Sequence, residues 1–128
     1  MKKINVRFWS MALVAMFFMI QAASGQAQKV QAAPIPEDVN KIFKNSCTPC
    51  HWNGGKKMAM GMVNFSKWTE YPAAKGAKKA AMICSILTKG KMPPKKVQKE
   101  MPGIIPTKDQ LDLICKWADS LKGEKNNP

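Results

Sequence analysis

A chain of 128 residues is long enough for one domain and too short for two of ordinary size. It carries 21 Lys and Arg against 8 Asp and Glu, a net charge of +13, yet Arg7 is its sole arginine. That excludes nucleic-acid readout as the reason for the charge, because the Arg fork that grips phosphates and base edges is missing beyond residue 7; a lysine-rich surface suits an acidic protein partner or peripheral association with an anionic membrane.

Residues 1–25 read as a secretory signal peptide. Lys2, Lys3 and Arg7 form a positive start. The apolar run from Trp9 to Ile20 is shorter than the roughly 20 residues a spanning helix needs. Ala22, Ala23, Ser24, Gly25, Gln26 and Ala27 then supply the small and polar residues of a cleavage site near Gly25–Ala27. A retained membrane anchor is the competing reading. Cleavage would remove three basic residues and no acidic one, leaving 18 against 8 and a net charge of +10. The expected location is the periplasm or another exported compartment.

Residues 26–36, ending in Pro34-Ile35-Pro36, are expected to form a flexible linker. A helix should begin near Glu37-Asp38, whose carboxylates suit a helix N-terminus. Val39, Ile42 and Phe43 share one face of it, and it runs into Cys47. Residues 52–65 read as a long loop with Gly54, Gly55 and Gly61, followed by a helical turn over Ser66–Glu70. Pro72 opens a longer helix to about Lys89, with Ala80, Ile83, Cys84 and Leu87 facing inward and Gly90 as its stop. Residues 91–106 form a loop punctuated by Pro93, Pro94, Pro102 and Pro106. Thr107 and Gln110 make a capping box for a last helix, whose inner face is Leu111, Ile114, Cys115, Ala118 and Leu121 and which Gly123 closes. No strand pattern and no repeat is visible. The expected fold is all-α, a small bundle with long loops over residues 37–123, with a short tail at 124–128. Such a domain buries a modest core and would gain from a large, flat, apolar cofactor at its centre.

Cys47-Thr48-Pro49-Cys50-His51 matches the c-type haem attachment signal. Two Cys three apart on a turn can each form a thioether with one vinyl group, and the adjacent His then lies below the iron. The export signal fits, since covalent attachment of this kind takes place outside the cytoplasm. A zinc site using Cys84 or Cys115 as a further ligand is a rival, though ligation by adjacent Cys50 and His51 is awkward. A thioredoxin-like pair would need a βαβ context that is missing.

His51 is the only histidine, so one His-ligated haem is the expected number. The sixth ligand must then be Met, Lys, water or nothing. Met92, between Gly90-Lys91 and Pro93-Pro94, is the leading candidate, because the prolines reduce the freedom lost on holding a weak ligand. Met101 is a rival. Met58, Met60 and Met62 form a cluster that could pack on a haem edge or bind copper(I).

With these residues the chain resembles the class I cytochrome c family over about residues 37–122. Phe43 precedes the motif, Met92-Pro93 follows, and Trp117 lies on the last helix. It looks closer still to small exported bacterial mono-haem domains. In those, stretches like Asn64-Phe65-Ser66-Lys67-Trp68, Gly90-Lys91-Met92-Pro93-Pro94 and Ile114-Cys115-Lys116-Trp117-Ala118 recur together. The resemblance implies electron transfer with His51 and Met92 as axial ligands. It also marks a departure. Many members carry Gly-Pro-Leu after the motif, where the Pro carbonyl orients the ligand His; here Gly61-Met62-Val63 stands instead.

In that fold the helices bearing Cys84 and Cys115 pack together, and export supplies an oxidising compartment, so a Cys84–Cys115 disulfide is expected. Trp68 and Tyr71 are the expected hydrogen-bond donors to the haem propionates, with core packing as the competing role. Trp117 is expected in the core. Lys56, Lys57, Lys89, Lys91, Lys95 and Lys96 flank the haem-bearing loops and would steer an acidic redox partner. The expected function is a one-electron carrier rather than an enzyme. The alternatives are an open-iron haem domain, peroxidase-like or gas-sensing, and a subunit of a larger redox complex.

Overall fold

A computed structural model describes residues 30–123. The expected signal peptide, the first residues of the linker and the tail at 124–128 lie outside the described residues.

The fold is all-α. Helix α1 spans Glu37–Ser46, a single turn α2 spans Thr48–His51, and α3 spans Lys57–Met62. A 3-10 segment, Phe65–Glu70, leads to the long helix α4, Ala73–Thr88. A short α5, Lys95–Glu100, and a 3-10 turn, Pro102–Ile104, precede α6, Lys108–Gly123. The loops expected over 52–65 and 91–106 thus each hold a short helix. Among the described residues no helix is long and apolar enough to cross a membrane.

Local chemistry sets the ends of the two long helices. Thr107 Oγ1 accepts from the Gln110 backbone N–H at 3.3 Å, and Gln110 Oε1 accepts from the Thr107 N–H at 3.0 Å. Both arms of the capping box are therefore made. At the end of α4, Gly90 takes φ +61°. Its N–H reaches the Leu87 carbonyl at 2.9 Å and the Lys91 N–H reaches Ile86 at 3.0 Å. These two bonds are the Schellman closure, which glycine allows at no steric cost.

Helices α4 and α6 form the main pairing, and α1 packs against α6. Cys84 and Cys115 are disulfide-bonded across the α4–α6 pair, with Cα atoms 5.0 Å apart. The core beside them is aromatic. Phe43, fully buried, stacks on Phe65 with centroids 4.6 Å apart and meets the edge of Trp117 at 5.6 Å. Trp117 lies 5.3 Å from Trp68. Each such ring contributes about 1.5–3 kcal/mol through burial and a further 0.5–1.5 kcal/mol or so where rings pair.

The linker expected at 26–36 is, from Val30 onward, part of the folded unit. Ala32 is buried, its N–H donates to the Tyr71 carbonyl at 2.8 Å, and the Ala73 N–H donates to Val30 at 2.8 Å. Trp68 Nε1 donates to the Ala33 carbonyl at 2.9 Å. Gly76 makes room for this strap: a methyl group there would stand 2.7 Å from the Ala32 Cβ.

Candidate functional site

The α1 backbone turns directly into the motif. Cys47 ends α1, Pro49 lies in the first turn of α2, and the Cys50 and His51 N–H groups return to the Cys47 carbonyl at 3.2 and 2.9 Å. The tight turn puts Cys47, Cys50 and His51 on one stretch of wall. Both motif cysteines are free thiols, and the other pair bond to each other.

Two cavities meet at this wall. The larger, about 250 Å³, is bordered by Ser46, Cys47, Cys50, His51, Met92 and Met101 among others. The smaller, about 60 Å³, is bordered by Cys47, His51, Met62, Phe65, Ile83 and Met92 among others. Cys47, His51, Leu87 and Met92 border both. Together the two approach the lower end of the roughly 300–1,000 Å³ typical of ligand pockets, and their walls are mostly apolar.

His51 has a defined orientation. Its Nδ1 lies 3.0 Å from the Val63 carbonyl oxygen. A carbonyl can only accept, so Nδ1 carries the hydrogen and the Nε2 lone pair is left for a ligand. Val63, the last residue of the Gly61-Met62-Val63 stretch, supplies the orienting carbonyl. Phe65 meets the imidazole edge-on at 6.1 Å.

Met92 is held by a residue the sequence did not point to. Gln98 Nε2, on α5, donates to the Pro93 carbonyl at 2.6 Å and to Gly90 at 3.3 Å. These two carbonyls bracket Lys91-Met92, so the loop is tied down on both sides. Pro93 is buried. Met101 borders the larger cavity but is half-exposed. Met62 borders the smaller one, whereas Met58 stands 85% exposed and neither it nor Met60 borders either cavity.

Trp68 and Tyr71, expected beside the propionates, lie elsewhere. Neither borders either cavity. The Trp68 N–H is already given to Ala33, so it is not free for a carboxylate. The Tyr71 hydroxyl accepts from the Asn64 N–H at 3.0 Å. Trp117 is buried in the core. All six lysines around the loops are exposed. Lys56 borders the larger cavity, and Lys96 pairs loosely with Glu100 at 3.9 Å.

The donor set suits a covalently held haem. Two free thiols, one imidazole with its outer nitrogen available and the thioethers of Met62, Met82, Met92 and Met101 border the cleft, and of these methionines only Met92 borders both cavities. Ser46 adds a polar signal. Its hydroxyl is buried beside the larger cavity with no hydrogen-bond partner among the described residues, and such groups call for a ligand or water acceptor. Zinc fits poorly. Cys84 and Cys115 are unavailable as further ligands, and among the described residues no group of three His, Cys, Asp or Glu could hold a metal ion.

Compared with protein-family models, with curated proteins and with solved structures, the chain matches none.

Proposed function

We propose that this chain is an exported mono-haem c-type cytochrome of the class I kind, carrying single electrons between redox proteins. The observation that carries the reading is the convergence of two free thiols, the oriented His51 and the tethered Met92 on one apolar cleft. Cys47 and Cys50 would hold the macrocycle through thioether bonds. His51 Nε2 and the Met92 sulfur would ligate its iron. Haem supplies reversible Fe(III)/Fe(II) chemistry; the residues around it exclude water and set its electronics.

A methionine ligand closes the iron to small molecules, and no general acid or base besides His51 stands in the motif, so transfer rather than catalysis is the expected role. The exposed lysines near the cleft favour an acidic redox partner, in solution or on a membrane complex. The test is expression of the full chain with haem-attachment machinery. Covalent haem in a pyridine haemochrome assay, with the weak far-red band of thioether-ligated ferric haem, supports the reading. A chain that stays haem-free, or one with a high-spin, carbon monoxide-binding iron, refutes the cofactor or the carrier role respectively.

A further inference from the structure

One peptide plane joins His51 to Tyr71. The Val63 carbonyl accepts from His51 Nδ1 at 3.0 Å, and the N–H of the same peptide unit, on Asn64, donates to the Tyr71 hydroxyl oxygen at 3.0 Å. We propose that Tyr71 is a positioning residue for His51, acting through the Val63–Asn64 peptide to set how strongly the imidazole donates to a bound iron; this rests on the haem reading above.

Hydrogen bonds on both ends of one amide polarise each other. A phenol accepting the N–H makes the carbonyl a stronger acceptor. A stronger acceptor draws the Nδ1 hydrogen and makes the imidazole more basic at Nε2. That stabilises Fe(III) over Fe(II) and lowers the potential.

The peptide is built to transmit this rather than to rotate away. Val63 N–H donates to Ala59 at 3.0 Å, and the Lys79 ammonium donates to the Met62 carbonyl. Asn64 is locked on its other side, with Oδ1 accepting from the Ser66 N–H at 3.0 Å and Nδ2 donating to Asn53 Oδ1 at 3.1 Å. Asn53 N–H in turn donates to Ser66 Oγ at 3.0 Å, which ties the network to the loop after the haem motif. Val63 and Asn64 are both buried. The Tyr71 ring is held independently of its oxygen, edge-on to Trp68 at 5.9 Å and beneath Lys75 and Lys79 at 5.5 and 4.9 Å.

Tyr71→Phe keeps the ring and removes the acceptor. In the full haem-loaded chain, the Fe(II)/Fe(III) ratio at a fixed ambient potential should rise by about two- to fivefold, the scale expected when one bond of a polarised pair is lost. The His51 Nδ1–H resonance of the reduced protein should move upfield, with haem content per chain unchanged. An unchanged potential and an unchanged Nδ1–H resonance would overturn the proposal, even if Tyr71→Phe unfolds at lower temperature, because a mere brace moves stability alone. A wild-type chain that carries no covalent haem refutes the cofactor reading instead. The relay is then decided by the same Nδ1–H resonance in the haem-free chain, present and moving upfield in Tyr71→Phe if it holds, unmoved if it does not.

Discussion

Gly55 lies against the backbone of Cys50. A methyl group at Gly55 would stand 2.5 Å from the Cys50 carbonyl oxygen and 2.9 Å from that of Trp52. These are main-chain atoms at and beside the second motif cysteine, and they cannot swing aside as a side-chain tip would. The approach lets the Gly55 N–H reach Trp52 at 2.8 Å and the Lys56 N–H reach Cys50 at 3.1 Å, closing the loop onto the motif. Gly55→Ala should cost about 1–3 kcal/mol, the usual scale of overpacking at a site that cannot relax. It should also lower haem attachment per chain. Urea midpoints and haem absorbance per chain check both; a variant equal to wild type in both would show that the loop yields freely.

Met92 and Met101 make opposite predictions. Met92→Ala should abolish the far-red ferric band and open the iron to carbon monoxide. Met101→Ala, at a half-exposed residue, should leave the band in place. Gln98→Ala frees the Pro93 and Gly90 carbonyls and should weaken the band without removing Met92. The same ferric spectrum reads all three. Loss of the band in Met101→Ala and its retention in Met92→Ala would exchange the ligand assignment.

What was legible in the sequence follows from range. The capping box at Thr107–Gln110 and the glycine stop at Gly90 act within six residues, and both are made. The inward residues of α1, α4 and α6 could be read from helical spacing, and Val39, Ala80 and Ile114 are among those fully buried. The α3 helix escaped notice because Lys57-Met58-Ala59-Met60-Gly61-Met62 has no cap and an interior glycine, which weakens helix propensity. The partners of Trp68 and Tyr71 escaped for a different reason. An indole N–H can meet any acceptor, and the one Trp68 found, Ala33, lies 35 residues away in a stretch that reads as linker; a phenol can donate or accept, and Tyr71 accepts from the Asn64 backbone N–H. The orienting carbonyl at Val63 and the Gln98 tether leave no side-chain pattern, since both involve backbone acceptors.

The Cys84–Cys115 bond spans 31 residues and joins the two helices that form the main pairing. In the chain-entropy account a loop of that length is worth about 3–4 kcal/mol. Cys84→Ala combined with Cys115→Ala should lower the unfolding free energy by roughly that amount while leaving the haem spectrum unchanged, because neither residue borders the cleft. Denaturant titration followed by haem absorbance checks it. A change in the ferric spectrum at full haem content would show that the bond also shapes the site.

Electron transfer to an acidic partner should slow steeply as salt rises. The exposed lysines near the cleft act over a distance comparable to the screening length, about 10 Å at 0.1 M and 3 Å at 1 M. Replacing Lys56 and Lys91 together with Gln should flatten the salt dependence more than it changes the limiting rate at high salt. Stopped-flow rates across ionic strength distinguish this from a partner that docks by shape alone, whose rate would be salt-independent.

Cys47 gives the chain an alkaline signature that attachment should erase. Its folded thiol is raised from 9.0 to about 12 by burial and then by Cys50. Above pH 9 an unfolded chain loses this proton while the folded one keeps it, so the unfolded state binds fewer protons and stability falls as pH rises from about 9 to about 12. The slope is at most about 1.4 kcal/mol per pH unit for one group. Lys79 acts in the opposite sense. Burial, then Lys75, lowers its affinity for a proton in the fold, so below its ordinary value of 10.5 the unfolded state binds more protons and stability rises with pH there, levelling off above it. Subtracting a Cys47→Ser control, which lacks the thiol and keeps the lysine, isolates the Cys47 contribution. The haem-free chain should show the alkaline loss relative to Cys47→Ser. The haem-loaded chain should not, because a thioether sulfur has no proton to release. An alkaline loss of equal size in the loaded protein would mean that Cys47 remains a thiol there and that haem hangs from Cys50 alone.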